Sequence, residues 1–118
     1  MGVLVEFDAG FHRCGLEPGP ACAELAKKVE ELPGLRFRGL MTFFGHVWGT
    51  EEERRQEAER LKERMSQAVT ALAEARMPVE IVSGGSTPSA PFAHLVPGLT
   101  EIRPGTYVYN DLNTYYQG

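Results

Sequence analysis

The sequence predicts an α/β fold of parallel β/α units, forming roughly half of a (β/α)8 barrel. Three observations carry this reading. Short apolar, β-branched runs alternate with amphipathic stretches in the order β-loop-α-β-α-β-loop-β, and such alternation produces parallel crossovers. Leu40, Thr42 and Phe44 make the second half of one strand buried on both faces, as in parallel sheets. A complete barrel takes about 250 residues. The 118 residues here have room for half of one, and 1–118 reads as a single partial-barrel domain.

Each element follows from local pattern. Residues 2–8 form a short apolar strand rich in β-branched side chains. The loop from Ala9 to Pro20 carries Gly10, Gly15, Gly19 and Pro18, and Pro20 suits a first helical turn because its missing N–H is no loss there. Ala21, Cys22, Leu25, Ala26, Val29 and Leu32 share one helical face, and Pro33-Gly34 ends that helix. Leu35 to Phe44 is the next strand, with Leu35, Phe37, Met41 and Phe43 on one side and Leu40, Thr42 and Phe44 on the other. Thr50 with Glu53 spells a capping box for a long second helix, whose apolar stripe is Ala58, Leu61, Met65, Ala68, Val69 and Leu72. Its opposite face is a mixture of charges, a solvated surface with Glu51 and Arg55 spaced for a weak pair. Pro78 ends this element. Val79 to Val82 is a third strand, a short turn falls near Pro91–Leu95, and a last strand runs from about Thr100 to Tyr109 with a break at Pro104-Gly105.

Composition removes several function classes. With 42% hydrophobic and 24% charged residues, the chain has enough apolar area to offset the entropy of ordering, so it is not intrinsically disordered. No stretch approaches the length of a membrane span, and the start lacks the basic leader of a secretory signal. Glu6 also stands where a myristoylation signal wants Ser or Thr. The net charge of −4, with basic residues mixed among acidic ones, argues against nucleic acid as a partner. Cys14 and Cys22 are too few for a disulfide scaffold and fit free thiols of a reduced cytoplasm.

The chemistry-bearing clusters lie just after predicted strands, at residues 8–15, 44–49, 83–89 and 103–111, and the carboxyl ends of parallel strands are where ligands bind. Ser83-Gly84-Gly85-Ser86-Thr87 has the properties of a phosphate cradle, because glycines let backbone N–H groups approach an anion and hydroxyls add donors. A plain flexible turn explains it equally well. Arg13 is a fixed cation leaving a strand end, able to hold an anionic or phenolate oxygen, or else a partner for Asp8 across the turn. His12, His46 and His94 include no pair at helical spacing, so no metal site is expected from this chain. His46 could stack on or hydrogen-bond a ring-shaped ligand, or be structural; Phe43, Phe44, Trp48, Tyr107 and Tyr109 fit core or rim packing.

Four segments taken together resemble the D-threonine aldolase and D-serine dehydratase family of pyridoxal-phosphate barrels, which shares the alanine-racemase-type barrel. They are Glu6-Phe7-Asp8-Ala9-Gly10 through Arg13-Cys14-Gly15, Gly39-Leu40-Met41-Thr42-Phe43-Phe44-Gly45-His46, Val82-Ser83-Gly84-Gly85-Ser86-Thr87-Pro88, and Glu101-Ile102-Arg103-Pro104-Gly105-Thr106-Tyr107-Val108-Tyr109-Asn110-Asp111. They occur in order over nearly the whole chain. The resemblance implies that Arg13 faces the cofactor's phenolic oxygen, and that Gly84, Gly85, Ser86 and Thr87 bind its phosphate with the backbone of Gly105, Thr106 and Tyr107. It places Phe43 near the cofactor ring, where relatives often carry Tyr, and Arg103 near the pyridine nitrogen.

The departures from that pattern are as informative. The family's Schiff-base lysine sits on the first barrel strand, ahead of the part matched here, which corresponds to the later half of the barrel. Its divalent metal site lies in a carboxyl-terminal β domain beyond the barrel. Lys27, Lys28 and Lys62, the lysines of this sequence, fall on predicted helices at polar positions. The expectation is a portion of a pyridoxal-phosphate lyase acting on a D-amino acid, inactive by itself. The alternatives are a remnant that binds a phosphorylated ligand without chemistry, and a purely structural half-barrel. Two open strand edges and an apolar inner face predict a homo-oligomer, or pairing with the missing half.

Overall fold

Parallel pairing organises the chain. In a computed structural model, which describes residues 1–45, 49–112 and 116, strand β1 (Gly2–Glu6) is followed by helix α1 (Pro20–Glu31), β2 (Arg36–Met41), α2 (Glu51–Glu74), β3 (Ile81–Gly84) and β4 (Glu101–Ile102). Short 3-10 turns occupy Ala90–Leu95 and Thr106–Val108. The four strands form one sheet in the order β1-β2-β3-β4, every pair parallel. This is the expected α/β architecture, with the β/α units of half a barrel. His46 and Trp48 lie outside the described residues.

Both helices pack on the face of the sheet that carries Val5, Phe7, Leu40 and Val82. The capping box of α2 is present: the Thr50 hydroxyl accepts from the Glu53 amide, and the Glu53 carboxylate accepts from the Thr50 amide at 2.7 Å. The α2 stripe Ala58, Leu61, Met65, Ala68 and Leu72 is buried as its spacing requires, and Arg55 pairs with Glu51 at 2.8 Å on the solvent side. The α1 face differs from expectation. Cys22, Ala23, Ala26 and Val29 are buried, while Ala21, Leu25 and Leu32 are exposed, because the helix presents its small side chains to the sheet and to α2. Burial pushes the Cys22 thiol up from its ordinary value, so it is a packing residue rather than a nucleophile.

The last strand is also shorter than its composition suggests. Only Glu101 and Ile102 pair with β3, and after Pro104, which has no N–H to donate to a ladder, the chain turns into a 3-10 segment.

One irregularity sets the phase of β2. Val3 pairs with Phe37 but Leu4 pairs with Gly39, so Arg38 is an extra residue, bulged out of the ladder. The bulge moves Phe37 onto the same face as Leu40, Thr42 and Phe44, which are all buried, and away from the half-buried Met41 and Phe43. A simple alternation groups Phe37 with Met41 and Phe43 instead. Gly39 itself has φ +149°, and a Cβ there would sit 1.9 Å from the Ile81 carbonyl oxygen. We expect Gly39→Ala to cost at least about 3 kcal/mol, or to prevent folding, because backbone must move to relieve the clash. Gly34→Ala, where a Cβ meets nothing and only the left-handed backbone is strained, should cost about 1 kcal/mol. Urea unfolding of the two variants checks the ranking.

Candidate functional site

The carboxyl ends of the strands meet along one rim, and the loop after β1 is the most tightly held part of it. Asp8 accepts the amides of Gly10 at 2.9 Å and His12 at 3.0 Å, and its other oxygen lies 2.8 Å from the His12 ring. Helix α2 reaches across: the Arg64 guanidinium donates to the Asp8 carbonyl at 2.8 Å and to the Glu17 carboxylate at 3.0 Å. The chain then folds back, with Leu16 bonded on both sides of Phe7, so closely that a Cβ on Gly15 would lie 2.6 Å from backbone atoms. Burial pushes the Asp8 carboxyl up, but the two amides and the charges of His12 and Arg64 outweigh it and hold it below its usual value.

This loop presents Arg13, and Asp8 is not its partner. The guanidinium lies over the Phe43 ring, 4.6 Å from its centroid, and over Phe11 at 5.1 Å, while Phe11 and Phe43 meet edge to face at 5.8 Å. Two cation–π contacts hold the guanidinium at this place on the rim while its N–H donors stay available to an anion. Gly45 lets Phe43 lie flat, since a Cβ there would be 2.2 Å from the ring.

The second half of the rim is built by β3 and β4. Arg103 crosses the strand ends, donating to the Ser83 hydroxyl and to the Thr42 carbonyl, both at 2.9 Å. Ser83 is therefore fully buried beneath Arg103 and serves as its anchor. The Gly84-to-Thr87 loop and the loop after Pro104 touch, because the Tyr107 amide donates to the Thr87 hydroxyl at 3.1 Å. Between them lies an open recess of about 350 Å³, lined by Phe43, Thr87, Arg103, Gly105, Thr106 and Asp111 among others. The amides of Gly85, Thr87, Gly105 and Thr106 have no hydrogen-bond partner among the described residues. Ser86 points the other way. Its amide donates to the Ser89 hydroxyl at 2.8 Å and its own hydroxyl to the Phe44 carbonyl at 3.4 Å.

Phe43, Ser86, Thr87, Arg103, Gly105 and Thr106, all picked from the sequence, thus meet at one recess, with Arg13 stacked on the Phe43 that lines it. His46 lies outside the described residues. Sequence reading missed three positioning residues. Phe11 could have been suspected as an aromatic two residues before Arg13, and Ser89 from its Ser-x-x-Ser spacing with Ser86. Arg64, 56 residues from Asp8, gives no local signal. Lys27, Lys28 and Lys62 are exposed on the two helices, Lys62 beside Glu59 at 3.1 Å. Among the described residues no group of three or more His, Cys, Asp or Glu could hold a metal ion, and no helix is long and apolar enough to cross a membrane.

Comparison with known proteins gives this rim a family. The model of the alanine racemase N-terminal domain matches residues 1–113. The chain belongs to the alanine racemase N-terminal domain family. It is 32% identical over 113 residues to a D-threonine aldolase of Arthrobacter sp., covering 94% of this chain and 30% of that protein. It is 35% identical over 114 residues to the D-threo-3-hydroxyaspartate dehydratase of Delftia sp. strain HT23, covering 93% and 30%. Its fold superposes on a crystal structure of the D-threonine aldolase from Filomicrobium marinum with a TM-score of 0.88 at 32% identity, over the whole of this chain and 32% of that one. The chain thus spans about a third of the length of the relatives it matches.

Within this alanine racemase-type unit the Asp8 clamp predicts a pH dependence. The folded-state carboxyl is lowered, so its contribution is present above the unfolded value of 3.8 and is lost as pH falls through the lower folded value. Asp8→Ala should cost about 1–3 kcal/mol at pH 7. Thermal melts should show that gap closing in strong acid, while a gap that is constant with pH would rule out the ionised clamp.

Proposed function

We propose that this chain is part of a pyridoxal-phosphate-dependent lyase acting on D-amino acids of the 3-hydroxy type, and that it supplies the rim holding the cofactor's phosphate. One observation carries the reading: the loops after β3 and β4 meet through Thr87 and Tyr107. Thr87, Gly105 and Thr106, whose amides have no partner among the described residues, line the recess beside that contact together with the Arg103 cation. Amides plus a cation are the donor set that a phosphate dianion takes. The cradle also has room. A Cβ on Gly105 would meet no atom within 4 Å, and Gly85 holds the left-handed backbone, φ +91°, that turns a loop sharply. The relatives, an aldolase and a dehydratase of D-configured hydroxy amino acids, support the substrate class.

Each residue then has a physical task. Thr87 spends an acceptor lone pair on Tyr107 and keeps its proton to donate to a phosphate oxygen. Arg103, anchored on Ser83 and Thr42, brings a fixed positive charge to the strand ends and offsets the carboxylate of Asp111 in the same recess. Arg13, held over Phe11 and Phe43, offers its N–H donors to an oxygen of the cofactor ring. Pyridoxal phosphate, when bound, supplies an electron sink for charge developing at the substrate α-carbon. The covalent anchor is assigned to a lysine outside this stretch, since Lys27, Lys28 and Lys62 are exposed on α1 and α2. The same placement favours a second reading, in which the chain binds a phosphorylated ligand without reacting.

Titration of the protein with pyridoxal phosphate, followed by calorimetry, should show binding that inorganic phosphate competes away. Thr87→Val should weaken it about tenfold, the loss of one charge-assisted hydrogen bond. Turnover of D-threonine by this chain alone should be undetectable. Absence of any phosphate-competed binding would remove the proposal, and turnover by this chain alone would remove the assignment of the lysine elsewhere.

A further inference from the structure

Ser89 is one of the most deeply buried polar residues described, 2% exposed, and among the described residues the hydrogen bonds of its hydroxyl are all to Ser86. The Ser86 amide donates to it at 2.8 Å, the Ser86 carbonyl lies 3.1 Å away, and the Ser86 hydroxyl lies 3.1 Å away. A hydroxyl has one proton and two lone pairs. Accepting from the amide and donating to the carbonyl, Ser89 closes a ring on Ser86 in both directions. The Ser86 hydroxyl then reaches the Phe44 carbonyl. Beneath the turn, Ser89 and Phe44 border a small cavity whose walls are mostly apolar, formed by Ala58, Leu61, Phe92 and Val96 among others. With Ser89 truncated, the buried Ser86 amide has no other protein partner there.

We propose that Ser89 is the positioning residue of the phosphate loop. By turning the amide, carbonyl and hydroxyl of Ser86 inward, it fixes the turn whose next amide, that of Thr87, is left for an anion in the recess. It touches no ligand itself and acts through Ser86. Its hydroxyl would also lie 3.3 Å from a Cβ on Gly85, so it packs directly under the glycine of the cradle. The inference rests on the phosphate reading above.

The test uses inorganic phosphate as the probe, with three measurements on the protein and on Ser89→Ala and Ser89→Thr. These are calorimetric phosphate affinity, the melting temperature, and hydrogen exchange of the Ser86 amide. Ser89→Ala should weaken phosphate binding about tenfold, near 1.4 kcal/mol, and speed Ser86 exchange, with the fold retained and the melting temperature lowered by several degrees. Ser89→Thr, which keeps the hydroxyl, should restore affinity and protection. If the parent protein does not bind phosphate, the phosphate reading fails, and the exchange rates still report whether Ser89 locks the turn. If the parent binds and Ser89→Ala binds equally well, the positioning inference alone is overturned. It is overturned as well if both variants lose their fold, which would make Ser89 a residue of folding rather than of the loop.

Discussion

The close approach of β2 to β3 at Gly39 is the constraint on which the rest of the architecture depends. With no Cβ, Gly39 lets the Ile81 carbonyl come within a distance no side chain permits, and the bulge at Arg38 places that glycine where the approach occurs. The phase of everything downstream follows. Leu40, Thr42 and Phe44 turn toward α1 and α2, and Met41 and Phe43 turn to the opposite face. A strand shifted by one residue would send Phe43 into the core and strand Arg13 without its stacking partner. The rim's chemistry is therefore a consequence of backbone geometry several residues upstream.

That rim is also where the polar interior of the molecule is concentrated. Among the described residues the buried polar ones are Asp8, Thr42, Ser83, Ser86 and Ser89, and each lies at the carboxyl end of a strand or in the loop that follows it. All of them are hydrogen-bonded: Asp8 to loop amides, Thr42 to the Phe7 carbonyl at 2.9 Å, Ser83 to Arg103, and Ser86 to Ser89. Satisfied buried polar groups rigidify their surroundings, because breaking any one leaves a group desolvated and unpaired. Under the proposed function, a loop held in this way would reduce the ordering cost of binding. The helices supply the opposite character. Their packed faces are aliphatic, and their charges face solvent in weak pairs such as Arg55 with Glu51.

Much of the fold was legible because its signals are local. Thr50 and Glu53 announce the start of α2, Pro20 the first turn of α1, and the apolar runs around Val5, Leu40 and Val82 the three longer strands. The failures share a cause. The exposure of Leu25 and Leu32 depends on how α1 meets the sheet, and the side taken by Phe37 depends on a bulge that the amino-acid pattern does not mark. The shortness of β4 was half legible, since Pro104 gives a reason for the ladder to stop but not for its having only two residues. At the candidate site, the glycines and hydroxyls of residues 83–87 and the positions of Arg13 and Arg103 stood out from residue type and spacing after strands. Their partners did not. Arg64 clamps Asp8 and Phe11 completes the Arg13 stack only because the chain brings them together.

By itself, the sequence determined the order of elements, the parallel α/β class, the four segments that resemble D-threonine aldolases, and the fall of Lys27, Lys28 and Lys62 on predicted helices. These are properties of composition and short-range pattern, which propensity, periodicity and capping govern within a few residues. Only the tertiary structure decided which donors face the recess. It turned Ser86 inward onto Ser89, spent the Tyr107 amide on Thr87, and laid Arg103 across Ser83 and Thr42. The physical reason is that a hydrogen-bond donor is defined by its partner: apart from the local Ser86–Ser89 pair, these partners are 20 to 61 residues apart and are chosen by strand register and loop contact rather than by neighbours in sequence.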